Sequence, residues 1–99
     1  MALVDDTKIY LRIDASDTSF DTEILDLIAS VQAELIDVGV DPTLVGAATD
    51  PLIKRAITVY CKAYFGYDQD NAEAFASSYD KLKIYLMNSS TYQAVVIDS

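Results

Sequence analysis

The stretch "DQDNAE" (Asp68–Glu73) sets two carboxylates at alternate positions, as at the opening of a calcium-binding loop. The loop then fails: the third ligand position is Ala72, no Gly stands at the sharp turn, and loop position 12 is Tyr79 instead of Glu. Asp70 and Glu73 have instead the spacing of a helix capping box with Asp in the cap, and a cap is the reading these residues favour. "DASDTSFD" (Asp14–Asp21) fails as a calcium loop in the same way, with Ser19 for the Gly and Leu25 for the closing Glu. Paired carboxylates can also divide acid and base roles, as in glycoside hydrolysis. Asp5/Asp6, Asp14/Asp17 and Asp68/Asp70 all lie in short polar segments, where nothing supplies the burial that would raise one pKa. With no His and one Cys, the chain lacks Ser-His and Cys-His nucleophile pairs, His-based acid/base catalysis and any His-containing zinc site. An enzyme is therefore not expected, and neither a cofactor nor a metal.

Other reactive side chains have structural readings beside the functional ones. Tyr60, Tyr64 and Tyr79 could stack bases, yet they fall on helix faces that need a core. Cys61 beside them reads as a small buried hydrophobe. Lys54, Arg55 and Lys62 could contact a phosphate or an acidic partner; a solvated helix face is the simpler reading.

The elements that carry these residues follow from patterning. Ninety-nine residues, 52% hydrophobic and 23% charged, are enough for one core and too apolar for disorder. Three Gly and two Pro leave few turns, which favours long helices. "DDTKIYLRI" (Asp5–Ile13) predicts a short helix, followed by a turn rich in capping residues (Asp14–Ser19). From Phe20 to Val38, apolar residues step by three and four (Phe20, Ile24, Leu27, Ile28, Val31, Leu35, Val38), and Gly39 is placed to stop the helix. Val40–Pro51 reads as a linker ending in Asp50-Pro51, a strong start signal for a third, central helix that Gly66 ends. A fourth helix, led by Asp70, carries Phe75, Tyr79, Leu82 and Leu86 on one face and stops at Asn88-Ser89-Ser90. The expected fold is all-α: a small bundle of about four helices over residues 1–89.

Residues 90–99 differ. "TYQAVVIDS" has the β-branched and aromatic character of a strand, with nothing to pair with inside a helical domain. Tyr92, Val95, Val96 and Ile97 are therefore the candidate protein-interface residues of a C-terminal interaction tail. Buried on a partner, each would gain about 1.5–3 kcal/mol, against an ordering cost of about 1–2 kcal/mol per residue. So weak a tail suits a repeated assembly in which it adds to other contacts; the alternative is a tail that folds back over its own helices or stays disordered.

Net charge is −9 and lies in the first half, where eleven acids face Lys8 and Arg12; the second half is balanced. This argues against binding nucleic acid on a basic patch, and is compatible with a surface that DNA slides past or one that imitates DNA. The start "MALVDDTK" has no apolar signal core and no run approaches a membrane span, so a soluble chain in a reducing interior is expected.

Two stretches carry a resemblance. Leu3 or Val4 through Lys8, Tyr10, Leu11, Arg12, Ile13 and Asp14 match a "Leu-x-x-x-Lys-x-Tyr-Leu-Arg-Ile/Val-Asp" opening, and Ile53, Lys54, Ala56, Ile57, Tyr60, Tyr64 and Phe65 match a central "Ile-Lys-x-Ala-Ile" helix running into aromatics. Over about residues 3–88 the chain resembles the small head-tail connector (adaptor) proteins of tailed bacteriophages and prophages. It departs from them at Gly66-Tyr67-Asp68, where the family often has a charged "Asn-Arg-Glu" type of helix end. The resemblance implies a structural protein of the virion neck, present in the host cytoplasm during assembly. It implies a ring of about twelve copies below the portal, each subunit using two different faces. Such a ring extends the DNA channel, lets DNA pass without specific binding, and docks the next neck, stopper or tail-completion protein. Asp14, Asp17, Asp21 and Glu23 are then candidates to face the channel, and no membrane partner is expected. The alternative from another class is an acidic DNA mimic or small inhibitor that occupies the basic groove of a nucleic-acid enzyme; grouping of the acids in caps and turns speaks against it.

Overall fold

The computed structural model describes residues 3–14, 16–65 and 72–93, which form helices α1 (Leu3–Leu11), α2 (Asp21–Asp37), α3 (Pro42–Ala47), α4 (Pro51–Tyr64) and α5 (Ala72–Asn88). The all-α expectation holds, and the helix ends have local causes. At the end of α1, Arg12 takes a left-handed conformation (φ 63°), its N–H donating to the Ile9 carbonyl (3.1 Å) and the Ile13 N–H to that of Lys8 (2.8 Å). These are the paired bonds of a Schellman motif. Helix α2 ends the same way at Gly39 (φ 103°), with Gly39 N–H to Ile36 (3.0 Å) and Val40 N–H to Leu35 (3.0 Å). Only Gly takes that turn without steric cost.

The stretch expected to be a linker contains α3. Asp41 caps it, its carboxylate accepting from the Thr43 N–H (2.9 Å), and Pro42 occupies the first turn. Ala48 at φ 51° closes it. Helix α4 begins with the same Asp-Pro device: the Asp50 carboxylate accepts from Leu52 N–H (2.9 Å) and Ile53 N–H (3.4 Å), ahead of Pro51. The bundle therefore comprises the four expected helices and one extra turn-and-a-half.

Helix α4 is central, packing against α1, α2 and α5. Ile53, Ala56, Ile57, Val59, Cys61 and Ala63 are all buried along it. Helix α2 adds Ile24, Ile28, Val31 and Leu35, α3 adds Val45, and α5 adds Tyr79 and Leu86. Gln32 of α2 fixes α3 by donating to the Val45 carbonyl (3.1 Å). Gly66, Asp68 and Asp70, and with them the expected cap of α5, lie outside the described residues.

Candidate functional site

Of the four tail residues, Val95, Val96 and Ile97 lie outside the described residues. Tyr92 is placed inside its own chain, 8% exposed. Its N–H donates to the Ser89 carbonyl (3.0 Å), and its carbonyl accepts from the Asp41 N–H (2.8 Å). Gln93 forms an antiparallel bridge with Val40 and donates its side-chain amide to the Met87 carbonyl (2.7 Å). The Tyr92 hydroxyl donates to both carboxylate oxygens of Asp50 (3.0 and 3.2 Å), the same group that caps α4. Burial, then the Asp50 hydrogen bond and charge, push this phenol above its ordinary pKa. Among the described residues of that strand-like stretch this single bridge is formed, and it ties Gln93 to the α2–α3 corner.

The candidate channel acids fall at one corner, before and at the start of α2. Asp14 accepts from the Ser16 N–H (3.0 Å) and hydroxyl (2.9 Å), and Asp17 from the Ser19 N–H (2.9 Å). Those backbone N–H donors hold both carboxyls below the usual range, so both are anions at neutral pH. Glu23 is exposed in the first turn of α2. Asp21, beside it, is committed inward: its carboxylate lies 2.7 Å from the ammonium of Lys8, whose side chain is 4% exposed. A buried lysine on α1 was not legible in the sequence, because burial of so polar a residue depends on a partner ten or more positions away.

The remaining reactive groups resolve into packing. Burial pushes the Cys61 thiol up to about 12, leaving it protonated and non-nucleophilic at neutral pH. Tyr60 packs edge-on against Tyr79 (5.0 Å between centroids) and tilted against Tyr64 (4.7 Å), which is 52% exposed and not in the core expected of its helix face. The Tyr79 hydroxyl donates to the carboxylate of Glu34 on α2, and the Lys83 ammonium lies 3.5 Å from the same oxygen. Lys62 sits 5.8 Å over the Phe75 ring. Among the described residues no group of three His, Cys, Asp or Glu side chains is arranged to hold a metal ion, and no helix is long and apolar enough to cross a membrane.

One concave feature was missed by sequence reading. Between α1 and the start of α4 runs a groove of about 380 Å³, lined among others by Ile9, Pro51, Lys54 and Arg55. Lys54 is tied across it to Asp6 of α1 (3.2 Å). Ile9 is 67% exposed. The signal was present: Leu3, Val4, Thr7, Lys8 and Leu11 form the inward stripe of α1, and Ile9 falls off it.

This arrangement offers surfaces and anchored ends, and no catalytic constellation among the described residues. Comparison with known proteins agrees. A family model described as phage connector protein matches residues 3–93. No curated protein and no solved structure matches the chain. The match spans all five helices and the bridge at Gln93, a little beyond the residues 3–88 that carry the resemblance in sequence, and on it the chain belongs to the phage connector protein family.

Proposed function

We propose that this chain is a structural head-tail connector of a tailed phage or prophage, one subunit of a closed ring below the portal that extends the DNA channel and docks the next neck protein. The observation that carries this reading is the family match over residues 3–93. The charge distribution supports it, since an acidic first half repels the phosphate backbone and would not retain passing DNA. In this reading Asp14, Asp17, Asp21 and Glu23 edge the channel, with Asp21 also bracing Lys8. The tail residues Val95, Val96 and Ile97 dock on the portal or on an adjacent subunit, launched from the anchor at Tyr92 and Gln93. The DNA-mimic alternative is disfavoured because Asp14, Asp17, Asp41 and Asp50 spend their carboxylates on local N–H groups.

Co-sedimentation with purified portals tests the proposal, comparing the full chain with a chain ending at Gln93. The full chain should bind and form a neck ring visible by electron microscopy, with little loss as salt rises; the shortened chain should bind weakly. Absence of portal binding by the full chain would sink the reading. Steeply salt-sensitive binding to a nucleic-acid enzyme would favour the mimic.

A further inference from the structure

The geometry points to a specific contact between copies of this chain: the groove between α1 and α4 of one subunit receives the outward flank of α2 from the next. The inference rests on the ring reading above and names the two faces that the ring would use.

The groove is lined by the apolar Ile9, 67% exposed, and Pro51, and by the charged Asp6, Lys54 and Arg55. Lys54 is held by Asp6, whereas the exposed Arg55 guanidinium has no ion-pair or hydrogen-bond partner among the described residues. The groove therefore carries a spare positive charge on a molecule whose net charge is −9. Two copies meeting through the acidic faces of the first half would bring like charges together, which costs affinity and slows encounter.

The flank of α2 is complementary in character and sign. Leu25 is 53% and Ile36 41% exposed. Eleven residues apart, they point within about 20° of each other on a ridge about 16 Å long. The exposed Ala29 lies between them and Ala33 farther round, both small enough for the helix backbone to come close to the groove. Asp26 and Asp37 are exposed about a quarter turn round from the ridge, and α2 contains no basic residue. An apolar ridge with acids along one side thus meets a groove that joins apolar side chains to a spare cation. Ridge and groove lie on different helices, so the contact can repeat head to tail, and it gives a ring where the rotation between neighbours closes, as the ring reading requires.

The test uses the full chain and variants at exposed positions, each checked for helical content. Sedimentation velocity over a wide concentration range compares wild type, Arg55→Glu, Asp26→Lys/Asp37→Lys, and the combination of all three. Each charge reversal alone should weaken assembly about tenfold or more, and the combination should recover most of the loss. Lys81→Glu, on the separate exposed face of α5 beside Ile84 and Tyr85, should change little. The inference is overturned if Arg55→Glu assembles like wild type, if the combined variant is weaker than either parent, or if assembly responds only to Lys81→Glu or to removal of residues 94–99. In those cases a ring still forms and the connector reading stands with a different interface. A wild-type chain that neither self-associates nor binds portals removes both.

Discussion

Arg12 is a residue whose cost can be read directly from its backbone. A side chain with a Cβ is strained at φ 63°, and Arg12 is exposed with its conformation dictated by the end of α1. Arg12→Gly should therefore stabilise the fold by about 0.5–1 kcal/mol despite the added freedom of the unfolded chain, seen as a higher denaturant midpoint. A lower midpoint would mean that the guanidinium contributes something the geometry does not reveal. Tyr79 gives a pH prediction. Burial, then the hydrogen bond to Glu34 and its charge, raise the phenol well above its ordinary 10.0. The folded state thus holds this proton more tightly than the unfolded chain, so the associated stability is fully present below about pH 10 and falls as pH rises beyond it. Phenolate titration should find Tyr79 ionising well above the ordinary tyrosine range, and Tyr79→Phe should flatten the alkaline loss of stability.

At the scale of elements, the two Asp-Pro starts make a matched comparison. Asp41 and Asp50 each cap a helix, but Asp50 also accepts the Tyr92 hydroxyl and opens the central helix. Asp41→Ala should cost about 1 kcal/mol, and Asp50→Ala clearly more, measured as the difference between their unfolding free energies. Equal losses would show that the Tyr92 bond adds nothing. The same pair explains what was legible. Helices α2 and α4 were readable because Ile24, Ile28, Val31 and Leu35, or Ile53, Ala56, Ile57 and Tyr60, repeat with the helical period over several turns. Helix α3 carries the same start signal as α4, yet at six residues it is too short for a periodicity to emerge, and Gly46 within it reads as a loop residue. Of the groove only the outward position of Ile9 was legible, from the stripe of α1; its meeting with Arg55 depends on packing of α1 on α4, which no local pattern encodes. The Tyr92 anchor was hidden for the same reason: its partners, Asp41 and Asp50, are about forty to fifty positions away.

For the whole molecule, the question is where the folded body ends and the part left over for partners begins. Composition divides the chain between residues 89 and 90, whereas hydrogen bonding carries the body on through Gln93. A chain ending at Asn88 loses the buried Tyr92 ring, its bond to Asp50, and the pairing of Asp41 and Val40, all in one step. It should melt several degrees lower than the full chain. A chain ending at Gln93 keeps every one of these contacts, so its midpoint should lie close to that of the full chain. If the two truncations melted alike, the anchor would be energetically idle and the body would end at α5. The distinction matters for function, because only the longer truncation separates docking from folding. Loss of portal binding by the chain ending at Asn88 could reflect a loosened α2–α3 corner, while the same loss in the chain ending at Gln93 isolates Ala94–Ser99 as the segment that reaches a partner.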